Sequence, residues 1–181
     1  MRRAVAPLVA ALLVLGAAPA WASHTDLSDP NDVDGRLDLE QVQLRHEADP
    51  FVWTFRTFRG WKPREMWDRG YLLVELDTRR DDLIDYVALI RSTGRKLEGV
   101  LLRTRRDGRQ VGIGDLDAWK TGPDAAAIGL PLGAVRFGQG RTSFLWSGTS
   151  LFTGRVCPGT CIDRAPDEGM VEQEIPPPPE G

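Results

Sequence analysis

Short runs in which apolar and polar residues alternate recur along most of the chain. In one of them Phe51, Trp53 and Phe55 are separated by single residues, so their side chains would share one face of a strand. A two-residue period is typical of strands, because successive side chains point to opposite sides. No segment keeps the 3.6-residue period of an amphipathic helix. We predict strands over residues 37–46, 51–58, 71–76, 84–90, 97–103, 110–114, 128–132 and 143–152.

Turn residues separate these runs. Asp107-Gly108 lies between two apolar runs and predicts a tight hairpin in which both residues have positive φ. Thr93-Gly94 predicts a second tight connection. About eight short strands joined by short turns predict an all-β fold, an antiparallel β-sandwich or jelly roll.

The first 22 residues have the pattern of a secretory signal peptide. Two arginines precede an apolar run over residues 4–18, and Ala20-Trp21-Ala22 then supplies small residues at the two positions that a signal peptidase reads. We therefore expect cleavage after Ala22 and a secreted, extracytoplasmic protein. The apolar run is too short for a transmembrane helix, so the mature protein is expected to have no membrane span.

The composition changes once the leader is set aside. The full chain has 23 Lys and Arg against 26 Asp and Glu, and loss of the two leader arginines leaves 21 against 26, a net charge of −5. An acidic chain lacks the clustered basic face that nucleic acid requires, and we interpret the arginines over residues 103–109 as a solvated hairpin end. We expect one β-sandwich domain over residues 23–169, a loose segment over residues 23–33 and a disordered Pro-rich tail over residues 170–181.

The two cysteines, Cys157 and Cys161, are separated by three residues. In an exported chain we expect a disulfide between them. Redox-active pairs have two intervening residues beside the start of a helix, which this turn does not match.

Residues for common catalytic mechanisms are scarce. After the leader the chain has two histidines, His24 near the new N-terminus and His46 at the end of a predicted strand, where we expect it to be solvated. The sequence has no Gly-x-Ser-x-Gly elbow, no zinc-type histidine pair and no phosphate-binding glycine loop. Acidic residues are abundant, so a carboxylate-based hydrolase stays open, because one sequence does not show which two acids meet across a cleft.

Two acidic segments carry the candidate metal ligands. Residues 29–38 alternate Asp and Asn oxygens before Gly35, as calcium-binding loops do, but with Gly35 at loop position six an EF-hand would have Pro30 at position one. Residues 163–168 would add oxygens if the first and last segments of the sandwich lie together. The alternative is a set of Asx turns along a solvated acidic edge. The candidate calcium ligands are Asp29, Asp32, Asp34, Asp38, Asp163 and Asp167.

The tryptophans differ in their surroundings. Trp53 and Trp146 lie on predicted strands and are expected in the core. Trp61 and Trp67 bracket a polar connection, and Trp119 lies beside a turn. Each of these three can pack over an end of the sandwich, or offer a flat apolar face to a sugar ring or a peptide, so they are the candidate ligand-binding residues. We expect one of Trp61 and Trp67 to be buried and the other exposed.

Two motifs carry a resemblance to known proteins. Residues 29–39 read DPNDVxGxLDL, and residues 157–167 read CxxxCxDxxPD. With these motifs the chain resembles a family of secreted, mainly actinobacterial β-sandwich proteins to which no activity is assigned. The architecture that the resemblance implies is similar to carbohydrate-binding jelly rolls, which is an analogy of fold and does not fix function.

These observations favour a secreted non-catalytic β-sandwich protein. It would bind an extracellular ligand, a glycan or a protein, or serve as an envelope-associated interaction module, with calcium as the stabilising ion. A carboxylate-based secreted hydrolase is the alternative, and a purely structural module is the third. A binder needs an exposed aromatic platform, a hydrolase needs two convergent acids with one raised pKa, and a structural module has neither.

Overall fold

A computed structural model of the protein describes residues 23–46 and 49–176, so the expected signal peptide and residues 177–181 lie outside the described chain. The described residues form eleven antiparallel strands, one short helix, α1 (Pro63–Met66), and a single 3-10 turn (Leu132–Ala134). The strands are β1 (Ser23–Ser28), β2 (Leu39–His46), β3 (Phe51–Thr57), β4 (Gly70–Asp77), β5 (Tyr86–Ser92), β6 (Leu97–Thr104), β7 (Gln110–Lys120), β8 (Ala125–Leu130), β9 (Ser143–Gly154), β10 (Cys157–Ala165) and β11 (Val171–Glu174). The predicted all-β antiparallel class is confirmed, with eleven strands in place of about eight.

The strands form two layers that share β7. One layer has the order β1-β2-β3-β8, and the other has the order β6-β5-β4-β9-β10. The part of β7 from Gln110 to Leu116 pairs with β6, and the part from Asp117 to Lys120 pairs with β8. Strand β11 pairs with β9 beyond the end of β10. Because β7 passes from one layer to the other, the chain forms a barrel-like sheet that folds over itself.

The core lies between β3 and β9. The rings of Trp53 and Trp146 meet at a centroid distance of 6.0 Å, close to edge-to-face, and both are fully buried. Edge-to-face contact sets the positive ring edge against a negative ring face and adds to the free energy of burial. The layers lie close together at Gly148, where an added Cβ would lie 2.8 Å from Val42 Cγ2. The expected core positions of the two tryptophans are therefore observed.

The two layers also meet on the side opposite β7, where β2 and β10 lie together without a backbone ladder between them among the described residues. Side chains join this junction, which we call the seam. The Leu39 N–H donates to Asp163 Oδ2 at 2.6 Å, and the Ser150 hydroxyl donates to the Leu37 carbonyl at 2.5 Å. The predicted disulfide joins Cys157 and Cys161 in β10.

The expected loose ends are partly strands. Strand β1 pairs with β2 along its full length, and β11 pairs with β9, so the expectations of a loose segment over residues 23–33 and a disordered tail from residue 170 were wrong for these stretches. Both strands are short and rich in polar residues, so they lack apolar alternation, and their pairing rests on backbone hydrogen bonds that any residue except proline can make. Among the described residues, no helix has the length and apolar character needed to cross a membrane.

The hairpin predicted at Asp107-Gly108 is present with a different turn. Only Gly108 has positive φ, at 79°. Its N–H donates to the Arg105 carbonyl at 2.9 Å, and the Arg105 N–H donates to the Arg109 carbonyl at 2.8 Å. A three-residue loop that ends on a left-handed glycine is the next commonest hairpin after the two-residue turn, so positive φ at Asp107 is not needed.

His46 is buried, which corrects the expectation that it is solvated. It takes the inward position after Val42 and Leu44 on β2, and its ring lies 4.6 Å from that of Phe51. Neither ring nitrogen has a hydrogen-bond partner among the described residues. Burial lowers the pKa of His46 below 6.5, against a smaller raising effect of the Asp49 carboxylate.

We expect the His46→Phe variant to be less sensitive to acid than the unmodified protein. In the unfolded chain His46 takes up a proton near pH 6.5, whereas in the native state it stays neutral to lower pH. The contribution of neutral His46 to the free energy of unfolding is therefore fully present above pH 6.5, and it is lost as the pH falls below that value. Urea unfolding between pH 5 and pH 8 measures the difference between the two proteins. A difference that does not change with pH would contradict the burial of a neutral histidine.

Candidate metal centre

Three carboxylates meet at the seam. Asp29 follows β1, Asp32 lies three residues further on, and Asp163 lies on β10. Each offers one oxygen, and these oxygens lie within 4.8 Å of one another. The Asp29 N–H donates to the Glu40 carbonyl at 3.0 Å, which fixes this residue beside β2. The fold thus brings together acids from the two acidic segments that were predicted to carry the metal ligands, residues 29–38 and 163–168.

The burial of the three acids differs. Asp29 is 7% exposed and Asp163 is 4% exposed, whereas Asp32 is open to solvent. Asp29 Oδ2 is buried and has no hydrogen-bond partner among the described residues. A buried carboxylate oxygen without a donor is costly, so this atom calls for a proton or a cation. Exposed Asp32 leaves one side of the group accessible from solvent.

The electrostatics of the group agree with its geometry. Burial, the negative charge of Asp163 and the hydrogen bond that a protonated Asp29 carboxyl donates to that residue raise the pKa of Asp29 to about 8. Burial also raises the pKa of Asp163, although the Leu39 N–H acts in the opposite direction. Like charges in a low-dielectric site favour the protonated form of one partner. Without a cation, Asp29 therefore holds a proton at neutral pH.

The other candidate ligands lie around this group or apart from it. Asp38 is buried, accepts a hydrogen bond from the Val33 N–H at 3.4 Å, and has a pKa raised by burial and by the charge of Asp163. Asp167 is exposed, and its charge contributes to the raised pKa of Asp29. Asp34 is exposed and belongs to neither of the close groups of acids among the described residues.

A second group of three acids, Asp77, Asp81 and Asp85, has a different chemistry. Asp77 accepts hydrogen bonds from four backbone N–H groups over residues 79–82. Asp85 accepts from the Thr78 N–H and hydroxyl and from the Arg79 N–H and guanidinium. Donors already satisfy these buried carboxylates, so a cation would have to displace them. This group shapes the polar loop after β4, and the alternation of apolar and polar residues gives no sign of it.

The donor set at the seam selects the kind of cation. It offers carboxylate oxygens, which hard cations prefer, and no thiolate or imidazole from its three members. Ca²⁺ accepts several carboxylates in irregular geometry, whereas Mg²⁺ requires a regular octahedron and usually keeps several waters. Three carboxylates from two distant segments therefore fit calcium better than magnesium.

The three candidate aromatic residues have different surroundings. Trp61 is 3% exposed, its indole N–H donates to the Thr57 hydroxyl at 3.1 Å, and the Lys120 ammonium lies 3.3 Å from its ring centroid. Trp61 has no free face for a ligand, so the prediction that it is a ligand-binding residue is wrong. Trp67 is 60% exposed and Trp119 is 41% exposed, which leaves these two rings available. One buried and one exposed ring was the expected outcome for Trp61 and Trp67.

The fold and the site together define an antiparallel β-sandwich with a disulfide in β10 and an acidic group at its seam. Comparisons with protein-family models, with curated proteins and with solved structures find no match for this chain.

Proposed function

We propose that this protein is an exported, non-catalytic β-sandwich module that binds an extracellular ligand and is stabilised by calcium. One observation carries the calcium proposal: the buried Asp29 carboxylate has an oxygen to which no described residue donates, and it lies beside Asp32 and Asp163. A cation bound by Asp29 and Asp163 would join β10 to the segment after β1, where the described residues form no backbone ladder between the two layers. Calcium would thus close the seam of the sandwich.

Export is supported by the leader pattern and by the disulfide. Disulfides persist in oxidising compartments outside the cytosol, and the Cys157–Cys161 bond agrees with such a location. A glycan or a protein is the expected ligand, and the exposed rings of Trp67 and Trp119 are the candidate contact surfaces. Aromatic rings present a flat apolar face on which a sugar ring or a peptide can stack.

We expect calcium to raise the melting temperature of the protein and the Asp32→Asn variant to lose most of this gain. A ligand that binds only the native state adds about 2.7 kcal/mol to the free energy of unfolding at 100 times its Kd. In chelator the variant should melt at the same temperature as the unmodified protein or higher, because the repulsion between the Asp32 and Asp163 carboxylates is gone. Thermal melts in calcium, in magnesium and in chelator measure these effects.

The Asp77 group supplies a matched control. Asp81 is the exposed member of that group, as Asp32 is at the seam, and both groups consist of three acids. We expect the Asp81→Asn variant to keep the full calcium gain, because donors satisfy its neighbours. A melting temperature of the unmodified protein that millimolar calcium leaves unchanged would overturn the proposal.

A carboxylate-based hydrolase is the second candidate, and the raised pKa of Asp29 beside Asp163 is the observation that favours it. A protonated acid next to a second carboxylate is the arrangement that acid-catalysed hydrolysis uses. Both carboxylates are buried, so a polymeric substrate would reach them only if the seam opened. Release of reducing ends from a glycan by the unmodified protein, abolished in Asp29→Asn, would favour this candidate over the first.

A further inference from the structure

A cleft of about 610 Å³ lies away from the residues of the acidic seam. Three segments line it: the polar loop after β4, the hairpin between β6 and β7, and the stretch after the 3-10 turn. Together they contribute five arginines, which are Arg79, Arg103, Arg105, Arg106 and Arg136. The loop after β4 and the stretch after the 3-10 turn each add one arginine to those of the hairpin. The basic group is therefore larger than the hairpin alone would supply.

The charge of this cleft is strongly positive. The Arg79 guanidinium is neutralised by Asp85, which it contacts at 2.5 and 2.6 Å. The other four arginines are exposed and form no ion pair with any acid among the described residues. The chain as a whole has a net charge of −3, so this concentration of unpaired positive charge runs against the overall balance. Clefts lined by one sign of charge attract ligands of the opposite sign.

Hydrogen bonds donated by backbone N–H groups hold the three segments in place. The Thr104 N–H donates to the Asp85 carbonyl at 2.8 Å, which joins the hairpin to the residue before β5. The Arg136 N–H donates to the Tyr86 hydroxyl at 3.2 Å. The Gly138 N–H donates to the Thr78 carbonyl at 3.1 Å. The framework that carries the arginines is therefore formed before any ligand arrives, which lowers the entropic cost of binding.

The cleft also has an apolar side. Leu83 is an exposed large hydrophobic residue, and Ile84 and Phe137 line the cleft beside it. Small-molecule sites usually combine apolar walls with a few charged groups, and their volumes are typically about 300–1,000 Å³. A guanidinium binds phosphate or carboxylate through two parallel hydrogen bonds.

We propose that this cleft binds a small organic anion that carries phosphate or carboxylate groups on an apolar body. The anionic groups would bind the unpaired arginines, and the apolar body would lie against Leu83 and Phe137. The inference goes beyond the proposed function: it adds a site that shares no residue with the acidic seam and does not depend on calcium.

Two dyes test the proposal. The fluorescent probe 8-anilinonaphthalene-1-sulfonate is an apolar body with one anionic group, and N-phenyl-1-naphthylamine is its uncharged counterpart. We expect the first dye to bind, its binding to weaken with added salt, and inorganic tripolyphosphate to displace it. We expect the Arg103→Gln/Arg105→Gln variant to bind it at least about tenfold more weakly, since one charge-assisted hydrogen bond accounts for that much.

Two control variants separate binding in this cleft from binding elsewhere on the protein. Arg95→Gln makes the same kind of charge change in the turn between β5 and β6, outside the cleft, and should bind the dye as the unmodified protein does. Asp32→Asn should also keep dye binding, so failure of the calcium proposal is distinguishable from failure of this one. Melting temperatures verify that each variant is folded. The proposal would be overturned if the two dyes bound equally well, or if the double variant bound the anionic dye as tightly as the unmodified protein does. It would also be overturned if the protein failed to bind the dye but sedimented with phosphatidylglycerol vesicles in a way that depends on these arginines.

Discussion

Replacement of Trp61 with Ala is expected to lower the free energy of unfolding by about 3–5 kcal/mol, the range for truncation of a buried tryptophan. The ring is almost fully buried, its indole N–H bonds the Thr57 hydroxyl, and the Lys120 ammonium lies over its face. The variant loses the buried ring, one internal hydrogen bond and a cation–π contact, and it leaves a cavity. Urea unfolding monitored by circular dichroism measures the change.

Trp67 is the matched control, since it belongs to the same connection and is largely exposed. Its ring packs over Gly94, where an added Cβ would lie 3.5 Å from the indole, so little apolar surface leaves water. We expect Trp67→Ala to cost about 0.5 kcal/mol or less, as exposed substitutions do. If the variants of Trp61 and Trp67 were equally stable, the assignment of Trp61 to the core would be refuted. A loss of glycan or peptide binding in Trp67→Ala alone would place the ligand on this ring.

Replacement of Asp77 with Ala is expected to lower the free energy of unfolding by about 3 kcal/mol, since hydrogen bonds to a charged group contribute about 1.5–3 kcal/mol each and the freed donors partly hydrate. The buried carboxylate accepts from the backbone of residues 79–82, with the shortest bond, 2.5 Å, from the Arg80 N–H. Arg80 and Asp82 have φ values of 57° and 62°, a left-handed conformation that is unfavourable for non-glycine residues. The Asp77 carboxylate thus stabilises a loop conformation that is unfavourable for the backbone of the loop residues themselves.

The Asp77→Asn variant separates the charge from the shape of this side chain. Its amide oxygen still accepts hydrogen bonds, but the amide nitrogen faces donors where the second carboxylate oxygen stood. We expect Asp77→Asn to lower the free energy of unfolding, but by less than Asp77→Ala does. The same urea unfolding measures both changes. Because this loop lines the arginine cleft, dye binding should weaken in the order of the stability losses. An Asp77→Ala variant as stable as the unmodified protein would show that the loop does not depend on the carboxylate.

The sequence determined those features that depend on neighbouring residues. Alternation at Phe51, Trp53 and Phe55 sufficed to place β3 and its buried face, because side chains alternate sides along any strand. Two cysteines in a chain with the pattern of an export leader likewise sufficed to predict their disulfide. The same rule also places His46 inward, two residues after Leu44, although its polar side chain suggested the opposite. Strands β1 and β11 were not predicted, because they lack apolar alternation and pair through backbone groups, which give no sign in the pattern of side chains.

Only the tertiary structure decided which distant residues meet. Both acidic groups consist of three aspartates, but within the described chain Asp29 at the seam has an oxygen without a donor, whereas the loop around Asp77 folds its own N–H groups onto the carboxylate. The cleft likewise depends on Arg136 reaching the hairpin arginines across a gap of about thirty residues. Periodicity reports which face of a strand is buried, but it carries no information about which strand lies opposite. That partner is set by the packing of the two layers and by the passage of β7 between them.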